Sequence, residues 1–293
     1  MRLFIAMAGA DLLARDLAER LHAQSLIAEG RRFPDGESYV RLSPAVKGKD
    51  VLLVCQLSPP DAALLPLVFA ARTARALGAR SVKLVAPYLP YLRQDRIFEP
   101  GEALSSAIFA NLISREVDAL ITVDPHLHRY PSLETIYSIP ATVVHSSGLI
   151  AAWIRDNVES PVIIGPDSES AQWVSDVARS ADAPWACFEK KRLGDRKVEL
   201  IGPDLERWRD RTPVVVDDIA ASGETMIAAL EHLVQVDLKA PYCIAIHGLF
   251  DEDTGNRIAR LAKRLITTDT VLNKYNGLAV APLIAQALAA QGC

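Results

Sequence analysis

The sequence predicts an α/β protein with mainly parallel sheets, and three observations carry that expectation. Apolar runs of strand length alternate with amphipathic stretches of helix length along the whole chain, the pattern of strands joined by crossover helices. Residues Val214 to Thr225 read VVVDDIAASGET: a buried-strand run, two aspartates, a small-residue loop and the start of a helix. The order and approximate spacing of Val51–Leu57, a helix from Ala62 and a strand at Val82 recur as Val214–Asp217, a helix from Thr225 and a strand at Tyr242. One supersecondary unit is therefore expected in each half.

Taken in order, Leu3 to Ala8 reads as a first strand, since the run is short and Arg2 is its only preceding basic residue, unlike a secretory leader. An Asp11-capped helix follows, with Leu12, Leu13, Leu17 and Leu21 on or near one face. Further strands are expected at Val51–Leu57, Val82–Ala86, Leu120–Asp124, Thr142–Val144, Val162–Gly165, Ala186–Glu189, Val214–Asp217, Tyr242–His247 and Arg264–Thr267. Helices are expected near Ala62–Leu77, Ser105–Ser114, Gly148–Asn157, Ser170–Ser180, Thr225–Gln235, Gly255–Ala262 and Ala281–Ala290. A domain boundary falls near residue 145, giving domains 1–145 and 146–293, with the final helix folding back onto the first.

At 293 residues, half of them hydrophobic, the chain can bury two ordinary cores. A formal net charge of −4 argues against a broad footprint for nucleic acid or an anionic membrane. Cys55, Cys187, Cys243 and Cys293 lie far apart without a CxxC pair, which fits a reducing compartment better than a zinc or disulfide framework. No apolar run is long enough to span a bilayer, so the expectation is a soluble, cytoplasmic protein.

Five further motifs sit at turns or at the carboxyl ends of strands. Phe33-Pro34-Asp35-Gly36-Glu37 is a turn entering a strand, and Phe33 is also a surface on which a base can stack, with Asp35 and Glu37 accepting from an amino group. Arg93-Gln94-Asp95-Arg96 follows the strand ending at Ala86; it suits a solvated loop or a polyphosphate held by guanidinium groups. Asp124-Pro125-His126-Leu127-His128 ends another strand, and the two imidazoles would alternate faces if that strand continued, so that only His126 or His128 need reach a ligand. Gly165-Pro166-Asp167-Ser168 is a second strand-loop-helix cradle, in which Asp167 either caps the helix or meets a ligand held by Asp217 and Asp218. Glu189-Lys190-Lys191-Arg192 leads into the charged stretch 193–197, a basic hairpin that could close over a transferring phosphoryl group.

In Val214–Thr225 itself, the loop lets backbone approach an anion and the helix start aims free N–H groups at it, while the aspartates suit a polyol or metal complex. In this order, over nearly the whole chain, the set resembles the ribose-phosphate diphosphokinases, also called phosphoribosyl diphosphate synthetases. The resemblance implies two similar phosphoribosyltransferase-type domains, each a mainly parallel sheet flanked by helices. It also implies transfer of the diphosphoryl group of ATP to the 1-hydroxyl of ribose 5-phosphate, with Mg²⁺ as cofactor and AMP as the second product.

Carried over motif by motif, the resemblance gives Phe33, Asp35 and Glu37 the adenine, often that of a neighbouring subunit's ATP, so a homo-oligomer is implied. Arg93, Gln94 and Asp95 take the nucleotide and its phosphates, and His126, by the triphosphate, is a metal ligand and a catalytic residue. Asp167 meets metal and ribose; Lys190 and Arg192 are the catalytic cations. Asp217 and Asp218 bind the ribose hydroxyls, and Ala221, Ser222, Gly223, Glu224 and Thr225 cradle the 5-phosphate. Phe98-Glu99-Pro100-Gly101-Glu102 resembles the archaeal-type branch.

Two departures from the family pattern stand out. Ser168-Glu169-Ser170 replaces small or glycine-rich residues, and Glu224 stands where glycine is usual, each adding a carboxylate near an expected anion site. They keep a non-catalytic regulatory paralogue open as an alternative, alongside a phosphoribosyltransferase.

Overall fold

The computed structural model describes residues 1–192, 198–236 and 238–291, with side chains described outside 190–192 and 198–201. Two compact units divide the chain: Met1–Val144 with Val280–Cys293, and His145–Ala279.

The first unit runs β1 (Arg2–Ala6), α1 (Asp11–Arg20), β2 (Gln24–Ile27), β3 (Glu29–Arg32), β4 (Ser38–Arg41), β5 (Asp50–Val54), α2 (Pro60–Ala76), β6 (Ser81–Val85), α3 (Ser105–Glu116), β7 (Ala119–Val123) and β8 (Ala141–Val144). Among the described residues its main sheet has the order β2-β1-β5-β6-β7-β8, all pairs parallel. The strands are apolar on both faces because helices cover both. Side chains of odd number, Leu3, Ile5, Val51 and Leu53, pack with Leu67 and Ala70 of α2 and Phe109 and Ile113 of α3. The alternate set, Phe4, Ala6, Leu52 and Val54, packs with Leu13 and Leu17 of α1 and with Ile284 and Leu288, which follow the second unit in the chain.

The second unit runs α4 (Ser147–Asn157), β9 (Pro161–Gly165), α5 (Ala171–Ala181), β10 (Trp185–Cys187), β11 (Glu189–Arg192), β12 (Val198–Ile201), β13 (Thr212–Ala220), α6 (Glu224–Gln235), β14 (Tyr242–Gly248), α7 (Glu252–Leu261), β15 (Arg264–Thr268) and β16 (Asn276–Leu278). Its sheet order is β10-β9-β13-β14-β15-β16, again parallel. Val214 and Val216 face the cluster built on Ile150, Ile154 and Val174, while Val215 faces that of Met226, Leu230 and Ile258. The chain then re-enters the first unit as α8 (Ala281–Ala290), which carries Ile284 and Leu288.

Counted within each unit, the two sheets share the order second, first, third, fourth, fifth, sixth strand, and each inserts an antiparallel hairpin between its second and third strands. The repeat expected from spacing is thus a repeat of the whole topology. Three local expectations change. Asp11 does not cap α1: Ala10 holds the cap position and no side chain bonds there, so Asp11 is simply the first helical residue. Short edge strands β2 and β16 add to the expected set. The strand from Val214 continues through both aspartates to Ala220, because Ile219 and Ala220 stay in register with His247 and Gly248 of β14.

Candidate functional site

In the second unit the site starts from unequal strand lengths. β13 pairs with β9 only as far as Val215, so Val216–Ala220 overhangs the carboxyl end of β9, and Asp217 and Asp218 lie on that overhang. Asp218 is buried and Asp217 half-buried. Asp217 Oδ1 accepts from the Asp218 N–H at 3.1 Å, and Asp218 Oδ1 from the Ile219 N–H at 2.8 Å, which fixes both carboxylates against the backbone. The adjacent β9 ends in Gly165, where a Cβ would lie 2.4 Å from both Cys187 Sγ and Ser170 Oγ. Asp167 caps the turn that follows, accepting from the Glu169 and Ser170 N–H groups at 3.0 and 3.2 Å. Burial raises the Cys187 thiol pKa, and the charges of Asp167 and Asp217 push it further up.

The loop after β13 is tied down by the Leu249 N–H, which donates to the Ala220 carbonyl at 2.8 Å. Ala221 is half-buried and Ser222 exposed. Gly223 then turns the chain at φ +70° and gives α6 its start, with Glu224 and Thr225 as the first helical residues. Side chains are excluded there twice over, by the backbone angle and by Thr254 Cγ2, which would lie 2.7 Å from an added Cβ. The first N–H groups of α6 have no intrahelical acceptor, the arrangement an anion requires. Glu224 turns sideways: its Oε1 accepts from Arg257 Nη1 of α7 at 3.0 Å, and it remains exposed. Glu169 is also exposed. Lys190 and Arg192 stand on β11 opposite Leu200 and Val198 of β12. Their side chains, and residues 193–197, lie outside the described residues.

In the first unit, β3 and β4 form a hairpin whose turn is Phe33–Glu37. The Phe33 N–H donates to the Glu37 carbonyl at 2.8 Å, Gly36 takes φ +93°, and Asp35 Oδ1 accepts from the Glu37 N–H at 3.1 Å. Phe33 presents its ring edge-on to Tyr39, and the Arg31 guanidinium lies 4.5 Å from the Phe33 centroid. After β6, Arg93 is exposed, while Gln94 donates to Glu102 Oε2 at 3.2 Å; the same oxygen accepts from the Phe98 N–H at 2.7 Å. Those backbone bonds hold the Glu102 carboxyl below the usual range. Asp95 is buried and taken up by Arg129, whose Nη1 donates to Oδ1 at 2.6 Å. Asp95 Oδ2 has no partner in the structure.

β7 stops at Val123, so the two histidines do not alternate faces. Their rings lie parallel, with centroids 6.3 Å apart and an interplanar angle of 17°. Arg129, Arg257 and Thr254 are site neighbours outside every sequence motif, whereas Glu102 and Ser170 fall within Phe98–Glu102 and Ser168–Ser170. Among the described residues no three His, Cys, Asp or Glu side chains converge as a metal cage, and no helix is long and apolar enough to cross a membrane.

Residues 2–116 match the N-terminal domain of ribose phosphate pyrophosphokinase, and residues 132–282 the phosphoribosyl transferase domain. A ribose-phosphate pyrophosphokinase of Methanopyrus kandleri is 36% identical over 280 residues, covering 94% of each chain. That of Thermoplasma acidophilum is 31% identical over 285 residues, 97% of this chain and 98% of its own. The crystal structure of phosphoribosylpyrophosphate synthetase from Mycobacterium smegmatis shares the fold, with a TM-score of 0.84 at 23% identity over 100% of this chain and 99% of that one.

Proposed function

The chain belongs to the ribose-phosphate pyrophosphokinase family, and on that premise we propose that it transfers the β,γ-diphosphoryl group of ATP to the 1-hydroxyl of ribose 5-phosphate, releasing AMP. The observation that carries the reading is the cradle of the second unit: an acidic strand overhang running into a glycine turn at φ +70° and the open start of α6. Ionised Asp217 and Asp218 are acceptors only, which suits the vicinal hydroxyls of a furanose. The N–H groups from Ala221 to Thr225 suit its 5-phosphate. The Glu224–Arg257 pair supports activity, since the added carboxylate is engaged at α7.

In-line attack on phosphorus needs positioning and charge neutralisation more than covalent help. We assign Phe33, Asp35 and Glu37 to the adenine and Arg93 and Gln94 to the phosphates. Asp95 acts by holding Arg129. Lys190 and Arg192 offset charge that develops on the transferring group. Mg²⁺ binds through one or two carboxylates plus phosphate and water, and Asp167, fixed at the carboxyl end of β9 by the Glu169 and Ser170 N–H groups, would be such a carboxylate, with His126 assigned beside it. When bound, it would neutralise phosphoryl oxygens. Asp167 is the harder donor for it, and His126 is better suited to the phosphates.

We also place the enzyme in the cytoplasm as a homo-oligomer. Supporting the latter, Leu65 and Phe69 on α2 and Ile108 and Leu112 on α3 are exposed apolar pairs spaced one helical turn apart. Light scattering of a dilution series tests this; a monomer at every concentration would overturn it.

Purified protein incubated with ATP, Mg²⁺ and ribose 5-phosphate should form AMP and phosphoribosyl diphosphate in equal amounts. Lys190→Ala and Arg192→Ala should each lower kcat by about a hundredfold or more with a smaller change in KM. No AMP across varied metal and phosphate would refute the activity, and unchanged turnover in either variant would refute the assignment of the cations.

A further inference from the structure

The first unit holds a cavity of about 350 Å³ at the carboxyl ends of β1 and β5, walled by the β3–β4 hairpin and the start of α2. By topology this is the position that the cradle takes in the second unit, where β9, β13, the β11–β12 hairpin and α6 are the corresponding elements. Its chemistry differs. Cys55 and Gln56 stand where the second unit has its two aspartates. α2 begins with Pro60 after Pro59, so two N–H groups that would hold a phosphate are missing. The floor is apolar, formed by Met7, Ala28 and Cys55.

Two polar groups at this wall lack their usual partners. The Gln56 side chain is 9% exposed and lines the cavity, and its Oε1 has no hydrogen-bond partner. Ala62, also lining it, has a carbonyl four residues before Pro66, which has no N–H to give it. Tyr39 also lines the cavity, with the Arg31 guanidinium 4.8 Å from its ring centroid, a flat and polarisable wall. A buried amide left unpaired is costly, and pockets of this size with few polar groups are typical small-molecule sites.

We propose that this cavity is a second ligand site, taking a neutral planar heterocycle of oxopurine size whose lactam edge pairs with the Gln56 amide. The lactam N–H donates to the amide oxygen and the lactam carbonyl accepts from the amide nitrogen; the ring lies along Tyr39. None of Phe33, Asp35 or Glu37 lines the cavity, which borders the turn assigned to adenine through Arg31 and Tyr39.

The test uses the full chain and two matched probes, isoquinolone, which carries the lactam, and isoquinoline, which does not. Isothermal titration should show isoquinolone binding at one site per chain and isoquinoline binding about tenfold more weakly. Gln56→Leu should cost isoquinolone about tenfold while raising Tm, because it removes an unpaired buried amide. Ala63→Phe, which fills the cavity from α2, should abolish binding. Glu37→Ala, in the same turn but outside the cavity lining, should leave binding unchanged. Equal affinity for both probes, undiminished binding to Gln56→Leu, or binding lost in Glu37→Ala but kept in Gln56→Leu would each overturn the site, whatever the enzyme's activity proves to be.

Discussion

Gly223→Ala is the sharpest test of the cradle, because two independent costs meet at one atom. At φ +70° an L-residue carries a backbone penalty of roughly 1–2 kcal/mol. The new Cβ would also lie 2.7 Å from Thr254 Cγ2 and 3.1 Å from Ile258 Cδ1, an overpacking cost of about 1–3 kcal/mol. Together these come to about 3 kcal/mol. Thr254→Ser removes Cγ2 but keeps the hydroxyl, so when added to Gly223→Ala it should restore about 1 kcal/mol of the steric part and none of the backbone part. The assay is urea unfolding followed by tryptophan fluorescence, since Trp153, Trp173, Trp185 and Trp208 all belong to the second unit, His145–Ala279. The signal therefore reports that unit alone, which avoids the mixed transition of a two-unit chain. A Gly223→Ala midpoint indistinguishable from wild type would refute the close approach, and no recovery on adding Thr254→Ser would refute the assignment to the methyl group.

Three further outcomes can be checked. Glu224→Gln should change stability by less than about 0.5 kcal/mol, since both partners of its ion pair are more than half exposed. It should lower KM for ribose 5-phosphate about two- to threefold in low salt, and a raised KM would count against the cradle. Asp50, bonded by Arg80 and Ser81, is lowered from an ordinary 3.8 to about 2, with the Arg80 hydrogen bond the largest cause. Because the folded value is depressed, its stabilisation is complete above the ordinary value and fades as pH falls towards 2. Arg80→Ala should flatten the acid limb of a circular-dichroism stability profile in that window; an unaltered limb would contradict it. Burial pushes the Cys55 thiol up to about 12 and raises that of Cys243, so neither should react with a thiol reagent in mildly alkaline buffer until the protein unfolds. Labelling of either in the native baseline would show that its thiolate forms in the folded protein.

The fold was legible because its strands are apolar on both faces and its crossovers are amphipathic, signals that survive without tertiary context. Adjacent charges at Asp217 and Asp218 look like a rim and put the end of the strand from Val214 there. Pairing with His247 and Gly248, about thirty residues later, carries it on to Ala220. Gln24–Ile27 and Asn276–Leu278 are edge strands of four and three residues, too short for a period-2 pattern to stand out. In the sequence Glu224 looks like an objection to phosphate because nothing local reveals Arg257 on the next helix. Arg129 and the parallel histidine rings depend on where a loop turns, and turns of that kind leave no spacing to read.

Because Val280 onward completes a unit begun at Met1, a ribosome making this chain finishes the second unit before the first. Until α8 emerges, Phe4, Leu13 and Leu17 lack Ile284 and Leu288, and each apolar side chain left wet forgoes about 2 kcal/mol of burial. The earlier-made half is thus the one that waits, with an open apolar face, through the synthesis of some 135 residues of its neighbour. A chaperone attending the nascent chain would find its client there, and a message truncated near Ala279 would yield a finished second unit joined to a first unit still missing its last helix.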